Sequence, residues 1–131
     1  MPFSHIIDNI YLGDIFSSRD VGVLDKVKQV ISVCPMEFIY DNHKHCIIDI
    51  EDIESEDIIS VAKDVYSKLD VPTLIHCHAG RSRSASIIIY YIMKKYNKSY
   101  DDAFNFVNTN REIGLNKGFR EQFENLDCDT M

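Results

Sequence analysis

Two hydrophobic rhythms run along the chain: alternation that marks strands, and recurrence at three and four residues that marks helices. Phe3–Ile7 and residues 9–12 read as short strands, with Gly13-Asp14 turning the chain at the end of the second. Ser17 or Ser18 is placed to cap a short helix running to about Lys28, with Val21, Leu24 and Val27 on its apolar face. Residues 29–34 are apolar and β-branched and are stopped by Pro35, the pattern of a buried strand; residues 46–50 repeat it. Ile58, Ile59, Ala62, Val65, Tyr66 and Leu69 recur at helical spacing, predicting an amphipathic helix over 56–69 that Pro72 ends. Thr73–His76 reads as a central strand and residues 84–96, apolar nearly all round, as a buried helix. Ser99 with Asp102 resembles a capping box opening a helix to about Asn108, and a last amphipathic helix starts near Asn116, carrying Phe119, Phe123 and Leu126. Tyr90, Tyr91, Phe104 and Phe106 are expected to pack in the interior. Strands alternating with helices predict an α/β fold, a central and mostly parallel sheet flanked by helices on both faces.

Length fits one domain spanning residues 1–131. The longest apolar run, residues 87–93, has seven residues, far short of the roughly 18 a membrane span requires. Met1-Pro2-Phe3-Ser4-His5 carries none of the charge and apolar core of a signal peptide. Cys34, Cys46, Cys77 and Cys128 include no C-x-x-C pair, so reduced thiols in the cytoplasm, with the nucleus as an alternative, are the expectation. Cys128 is expected to be exposed, while Cys34 and Cys46 are read as buried thiols or, alternatively, as disulfide partners for Cys77 under oxidation.

The net charge of −7 argues against bulk nucleic-acid binding. Its distribution says more. Residues 41–70 hold nine acids against three lysines, whereas residues 71–100 hold no acid but contain Arg81, Arg83, Lys94, Lys95 and Lys98. That contrast predicts a local anion site on an acidic protein.

The anion site has an obvious seat. Leu74-Ile75-His76-Cys77-His78-Ala79-Gly80-Arg81-Ser82-Arg83-Ser84 joins a strand to a helix N-terminus through small residues, so several loop N–H groups can converge on one phosphate. Gly80 permits a bend that a Cβ would hinder. The planar fork of Arg83 suits two phosphate oxygens. Cys77, six residues earlier, would lie at the bottom among N–H dipoles and a guanidinium, both of which favour the thiolate. The chemistry implied is phosphoryl transfer to sulfur.

His76-Cys77-x-x-Gly80-x-x-Arg83-Ser84 resembles the signature of the cysteine-dependent protein tyrosine phosphatases, and Ala79-Gly80-x-Ser82-Arg83-Ser84 is most similar to their dual-specificity, VH1-like branch. The likeness extends over nearly the whole chain. Residues 9–13 are similar to the family's opening strand, residues 27–33 to its next buried strand, residues 48–52 to the strand and loop carrying its general acid, and Asn116-x-Gly118-Phe119 with Gln122 to its closing helix. The resemblance implies Cys77 as nucleophile, Arg83 as phosphoryl ligand and transition-state stabiliser, and Ser84 as hydrogen-bond partner of the Cys77 sulfur. It implies a cradle of N–H groups from His78, Ala79, Gly80, Arg81, Ser82 and Arg83, with His76 orienting the loop from beneath. Asp52 is the expected general acid; Asp49 is read as lying within the strand and Asp57 as belonging to the first turn of the next helix.

Only 25 residues separate Asp52 from Cys77, fewer than is usual in the family, so a trimmed intervening helix or turn is expected. No counterpart of the tyrosine-bearing loop that deepens the phosphotyrosine pocket is evident, which implies a shallow site open to phosphoserine and phosphothreonine as well. The implied activity is metal-independent, needs no cofactor, and acts on phosphorylated proteins; nothing in the pattern addresses oligomeric state. The extra cations His78 and Arg81 make a phosphoinositide phosphatase the first alternative. The remaining alternatives are an RNA phosphatase, a non-catalytic phosphate-binding module of the same fold and a rhodanese-like sulfurtransferase.

Overall fold

The computed structural model describes residues 2–38, 40–126 and 131. Five strands form one sheet: β1 (Phe3–Ile7), β2 (Ile10–Gly13), β3 (Gln29–Ser32), β4 (Lys44–Ile47) and β5 (Thr73–His76). Their spatial order is β1-β2-β5-β3-β4. Only the β1–β2 hairpin is antiparallel; the other three pairings are parallel. The last strand in sequence is therefore the middle strand in space, and its end sits between the ends of β2 and β3. Gly13 and Ser32 are the register partners of His76 on its two sides.

Alternation along each strand divides the sheet into two unequal faces. Leu12, Ile31 and Ile75 join the larger cluster, under the helices α2 (Ile58–Tyr66), α3 (Arg83–Tyr96), α4 (Tyr100–Asn110) and α5 (Lys117–Glu124). Val30 and Leu74 point the other way, to a small cluster with Val23 and Val27 beside the one-turn helix α1 (Val21–Leu24). Helices thus cover both faces, as expected, but most of the core lies on one. The longest helix, α3, buries ten of its residues from Ser84 to Met93. Each of its buried isoleucines contributes on the order of 1.5–3 kcal/mol of transfer free energy.

Several elements differ from their sequence patterns. Ser17 and Ser18 do not cap a helix to Lys28: their hydroxyls donate back to the carbonyls of Asp14 and Ile15, closing a 3-10 turn at Phe16–Arg19. Asp20 caps α1 instead, accepting from the Gly22 N–H. β3 and β4 are shorter than the apolar runs that announce them, so Asp49 lies beyond the strand rather than within it. The helix expected over 56–69 is trimmed to nine residues, with Asp57 at its N-cap. Phe106 is exposed, not interior, because α4 turns Ala103 and Val107 to the core and Phe106 away from it; Phe104 is partly buried, and Tyr90 and Tyr91 are buried. Cys128 lies outside the described residues.

At the pole opposite the carboxyl ends of the parallel strands, Asp8 in the β1–β2 turn ties the hairpin to the end of α3. It accepts from Tyr91, Tyr96 and Lys95. The Tyr91 hydroxyl, then that of Tyr96 and the Lys95 ammonium, lower its pKa from 3.8 to about 2 against the opposing effect of burial. A carboxylate whose folded pKa is depressed stabilises the fold above its unfolded value and loses that contribution as pH falls through the folded one. Asp8→Asn keeps a residue type that tolerates the local φ of 50°. It is expected to lower the thermal midpoint at pH 7, with the difference from native closing between about pH 4 and pH 2. Thermal unfolding monitored by circular dichroism over that range checks it.

Among the described residues no helix is long and apolar enough to cross a membrane.

Candidate active site

Cys77 comes directly after β5, at the floor of a loop that ends in the first turn of α3. The loop takes its shape from contacts on its outer side. His76 Nδ1 bonds the carbonyl of Cys77 at 3.2 Å. The Ile15 N–H donates to the carbonyl of His78 and the Gly114 N–H to that of Arg81, each at 2.9 Å. Arg111 Nε donates to the carbonyl of Gly80 at 3.4 Å. In a planar trans peptide the C=O and the next N–H point in opposite directions. Holding these four carbonyls outward therefore turns the N–H groups of His78, Ala79, Arg81 and Ser82 to the opposite, inner side. These four N–H groups belong to the six named from the sequence, and the tethers give them a common inward side.

Gly80 makes the bend at φ 69°, and a Cβ there would lie 2.6 Å from the Gly13 carbonyl oxygen. Both the left-handed backbone and the close approach of β2 exclude a side chain at this position.

Helix α3 lacks a capping side chain at its own N-terminus, whereas Asp20, Asp57, Ser99 and Asn116 cap the other described α-helices. Ser82 holds the N-cap position, but its hydroxyl donates to Asp52 Oδ1 at 2.7 Å. The first N–H groups of α3 are left for an anion, in the favourable field of the helix dipole.

The thiol lies in that field. Cys77 Sγ is 3.1 Å from Ser84 Oγ. Burial, the largest single influence, opposes the thiolate, but it is outweighed by the Ser84 hydroxyl, the N–H groups of Ser84 and Gly80 and the Arg83 guanidinium. The net effect holds the Cys77 thiol below its ordinary value. Cys34, also buried, goes the other way: burial pushes its thiol up, despite the opposing charge of Arg83. Of these two thiols only Cys77 is favoured as an anion. Cys46 is half-buried on β4.

Arg83 is anchored by Nη1, which donates to the Ile50 carbonyl at 2.9 Å. Its Nε–H is buried without a protein partner among the described residues, a donor free for a ligand oxygen. His78, Ala79 and Arg81 are exposed on the loop, while Gly80, Ser82 and Ser84 are buried. Arg81 also lies 3.7 Å from Glu112.

Asp52 reaches the loop from the far side of the chain. Asn116 Nδ2 donates to the same Oδ1 that Ser82 binds, at 2.8 Å. The acid-bearing segment is clamped to α5 by Gln122, which accepts from the Ile58 N–H and donates to the Glu56 carbonyl. Gly118 sits against Glu54 so closely that a Cβ would overlap its carbonyl oxygen. Residues 116–122, noted in the sequence only as a likeness, thus seat Asp52. The trimmed α2 does not draw Asp52 away from the site.

Three contributors carried no sequence signal that singled them out. Arg111, at the end of α4, braces the Gly80 carbonyl and lies 4.0 Å from Asp14. Ser32 and His45 stand behind His76.

A profile described as the dual specificity phosphatase catalytic domain matches residues 23–127. The chain belongs to the dual specificity phosphatase family. It is 30% identical over 137 residues to the dual specificity protein phosphatase 13B of Mus musculus, covering 91% of this chain and 69% of that one. It is 33% identical over 141 residues to the putative tyrosine phosphatase 123R of Invertebrate iridescent virus 6, covering 97% and 93%. The Yvh1 phosphatase domain from Chaetomium thermophilum superposes with a TM-score of 0.84 at 25% identity over 93% of each chain. Other relatives are much longer, this chain spanning 16% and 17% of two of them. As a dual specificity phosphatase the chain is a hydrolase of the cysteine-based protein phosphatase class, and the lipid, RNA and non-catalytic alternatives are not favoured.

Proposed function

We propose that this dual specificity phosphatase hydrolyses phosphotyrosine and phosphoserine/threonine esters of proteins through a cysteinyl-phosphate intermediate, without a metal ion. The observation that carries the reading is the Cys77 thiol, held 3.1 Å from Ser84 within a loop tethered outward at the carbonyls of Cys77, His78, Gly80 and Arg81.

In the first step the Cys77 thiolate attacks phosphorus, the S–P bond forms and the bond from phosphorus to the leaving oxygen breaks. Inner N–H groups and Arg83 take up the charge of the equatorial oxygens. Asp52 in its acid form protonates the departing oxygen. Two donors converge on its Oδ1, so Oδ2 is the oxygen that carries the transferable proton. In the second step water attacks phosphorus, Asp52 takes a proton from it, and the electron pair of the S–P bond returns to sulfur. Ser84 Oγ–H stabilises the thiolate as it leaves. Burial lowers the pKa of His76 to about 4, so it stays neutral and orients the loop without adding charge.

A thiol nucleophile fits a reducing compartment, the cytoplasm or the nucleus. The test is hydrolysis of phosphotyrosine and phosphoserine peptides by the freshly reduced chain with EDTA present, then acid quench and mass spectrometry of the Cys77 peptide. Turnover of both peptides with a phosphoryl adduct on Cys77 is the expected result. Phosphate binding with no turnover of either would overturn the reading in favour of a binding module.

A further inference from the structure

His76 is engaged at both ring nitrogens, and counting protons fixes the direction of each bond. Nδ1 faces the Cys77 carbonyl at 3.2 Å, and a carbonyl only accepts, so Nδ1 carries the proton. Nε2 of the neutral ring must then accept, and the group 2.7 Å from it is the Ser32 hydroxyl. Ser32 has one hydrogen, which is used on His76. The second ring at its oxygen, His45 Nε2 at 2.8 Å, must donate. The order is His45 Nε2–H to Ser32, Ser32 Oγ–H to His76 Nε2, His76 Nδ1–H to Cys77 C=O. Three parallel strands supply it, since β3 lies between β4 and β5.

We propose that Ser32 and His45 are positioning residues of the phosphatase reaction, a relay that holds His76 in its Nδ1–H tautomer and thereby fixes the Cys77–His78 peptide. The inference rests on the phosphatase reading of the loop. Its physical content lies in the alternative tautomer. With the proton on Nε2, the Nδ1 lone pair would face the lone pairs of the Cys77 oxygen, and the tether would become a repulsion. The Cys77–His78 peptide plane would be free to turn, taking the His78 N–H out of the cradle. Without Ser32 the Cys77 carbonyl is the one group of the relay left to select between the two, and the donor aimed at Nε2 is lost.

The groups facing the relay leave its polarity intact. Tyr40, after β3, packs edge-on against His45 with ring centroids 4.6 Å apart. Asp14 favours the charged form of His76 and His45 opposes it, both less strongly than burial. Burial lowers the His45 pKa. When His45 does gain a proton its Nε2–H is unchanged, so the order of donors survives until His76 itself is protonated. The relay therefore predicts no activity step at the His45 titration.

The first measurement is the nitrogen chemical shifts of His76 in the native enzyme. The Nδ1–H tautomer is expected, and an Nε2–H ring would overturn the proposal. The second compares Ser32→Ala, His45→Phe and His45→Gln by the pH dependence of Cys77 alkylation with iodoacetamide, and by kcat/KM on a phosphotyrosine peptide at pH 6. Loss of one buried hydrogen bond in the chain is expected to cost roughly tenfold in kcat/KM and to move the alkylation midpoint upward in the first two variants. The glutamine amide donates from about the reach of Nε2 and is expected to restore most of both. Unmoved midpoints in Ser32→Ala and His45→Phe, with native thermal unfolding, would sink the relay. If Ser32→Ala fails to fold, His45→Phe at a half-buried position still reads the effect. Neither the nitrogen shifts nor alkylation requires turnover, so a chain that hydrolyses nothing would refute the phosphatase reading while these two readouts still decide the relay.

Discussion

Cys77→Ser is expected to remove hydrolysis of phosphotyrosine peptides by a factor on the order of 10⁴ or more, while leaving phosphate binding in place. The change replaces a thiol whose anion is stabilised by Ser84, two N–H groups and Arg83 with a hydroxyl whose anion lies far out of reach at neutral pH. Everything else that touches the phosphoryl group is retained. The four carbonyl tethers do not involve the sulfur, and Arg83 keeps its anchor on Ile50. Removing a negative charge from the cradle should tighten binding of a dianionic ester rather than weaken it. Single-turnover kinetics paired with calorimetric titration of a phosphopeptide separate these effects. Turnover within tenfold of the native rate would show that Cys77 is not the nucleophile.

Asp52→Asn is expected to discriminate between leaving groups. An aryl phosphate bearing an electron-withdrawing substituent expels a stable phenoxide and needs little help. A phosphoserine ester expels an alkoxide, and loss of the proton donor should cost about 10²- to 10⁴-fold. The asparagine oxygen can still accept from Ser82 and Asn116, so the loop geometry is conserved and the chemistry alone is altered. The ratio of kcat/KM on the two substrates, native against variant, is the measurement. Equal losses on both would shift the donor role to another acid of the 49–54 segment.

How far the sequence reveals this site depends on the range of the contacts. Strand, loop and helix around Cys77 are legible because the information is local: an apolar β-branched run, small residues, then a helix apolar on every side. Asp52 is legible only through its position after an apolar strand, and its partner Ser82 lies 30 residues away. Sheet order is not legible, since nothing in residues 73–76 states that they insert between β2 and β3. The tethers are equally silent. Arg111 bonds Gly80 across 31 residues and Ser32 bonds His76 across 44, and a lone Arg or Ser carries no pattern. Ser17 and Ser18 show the converse failure. Their residue type suits an N-cap, yet the same hydroxyls close a 3-10 turn just as well. Phe106 fails for a related reason, because apolar character alone does not say which side of α4 meets the core.

The carbonyl tethers have a consequence for how activity is lost. They come from the chain after β2, from the last residue of β5, from the end of α4 and from the residues before α5. No stretch of chain holds the signature loop in shape by itself. A peptide spanning residues 73–96 should therefore have an ordinary cysteine, slow to alkylate and indifferent to phosphate. On heating, alkylation selectivity and the global transition should vanish at one temperature, with no window in which a folded protein keeps a slack, half-competent site.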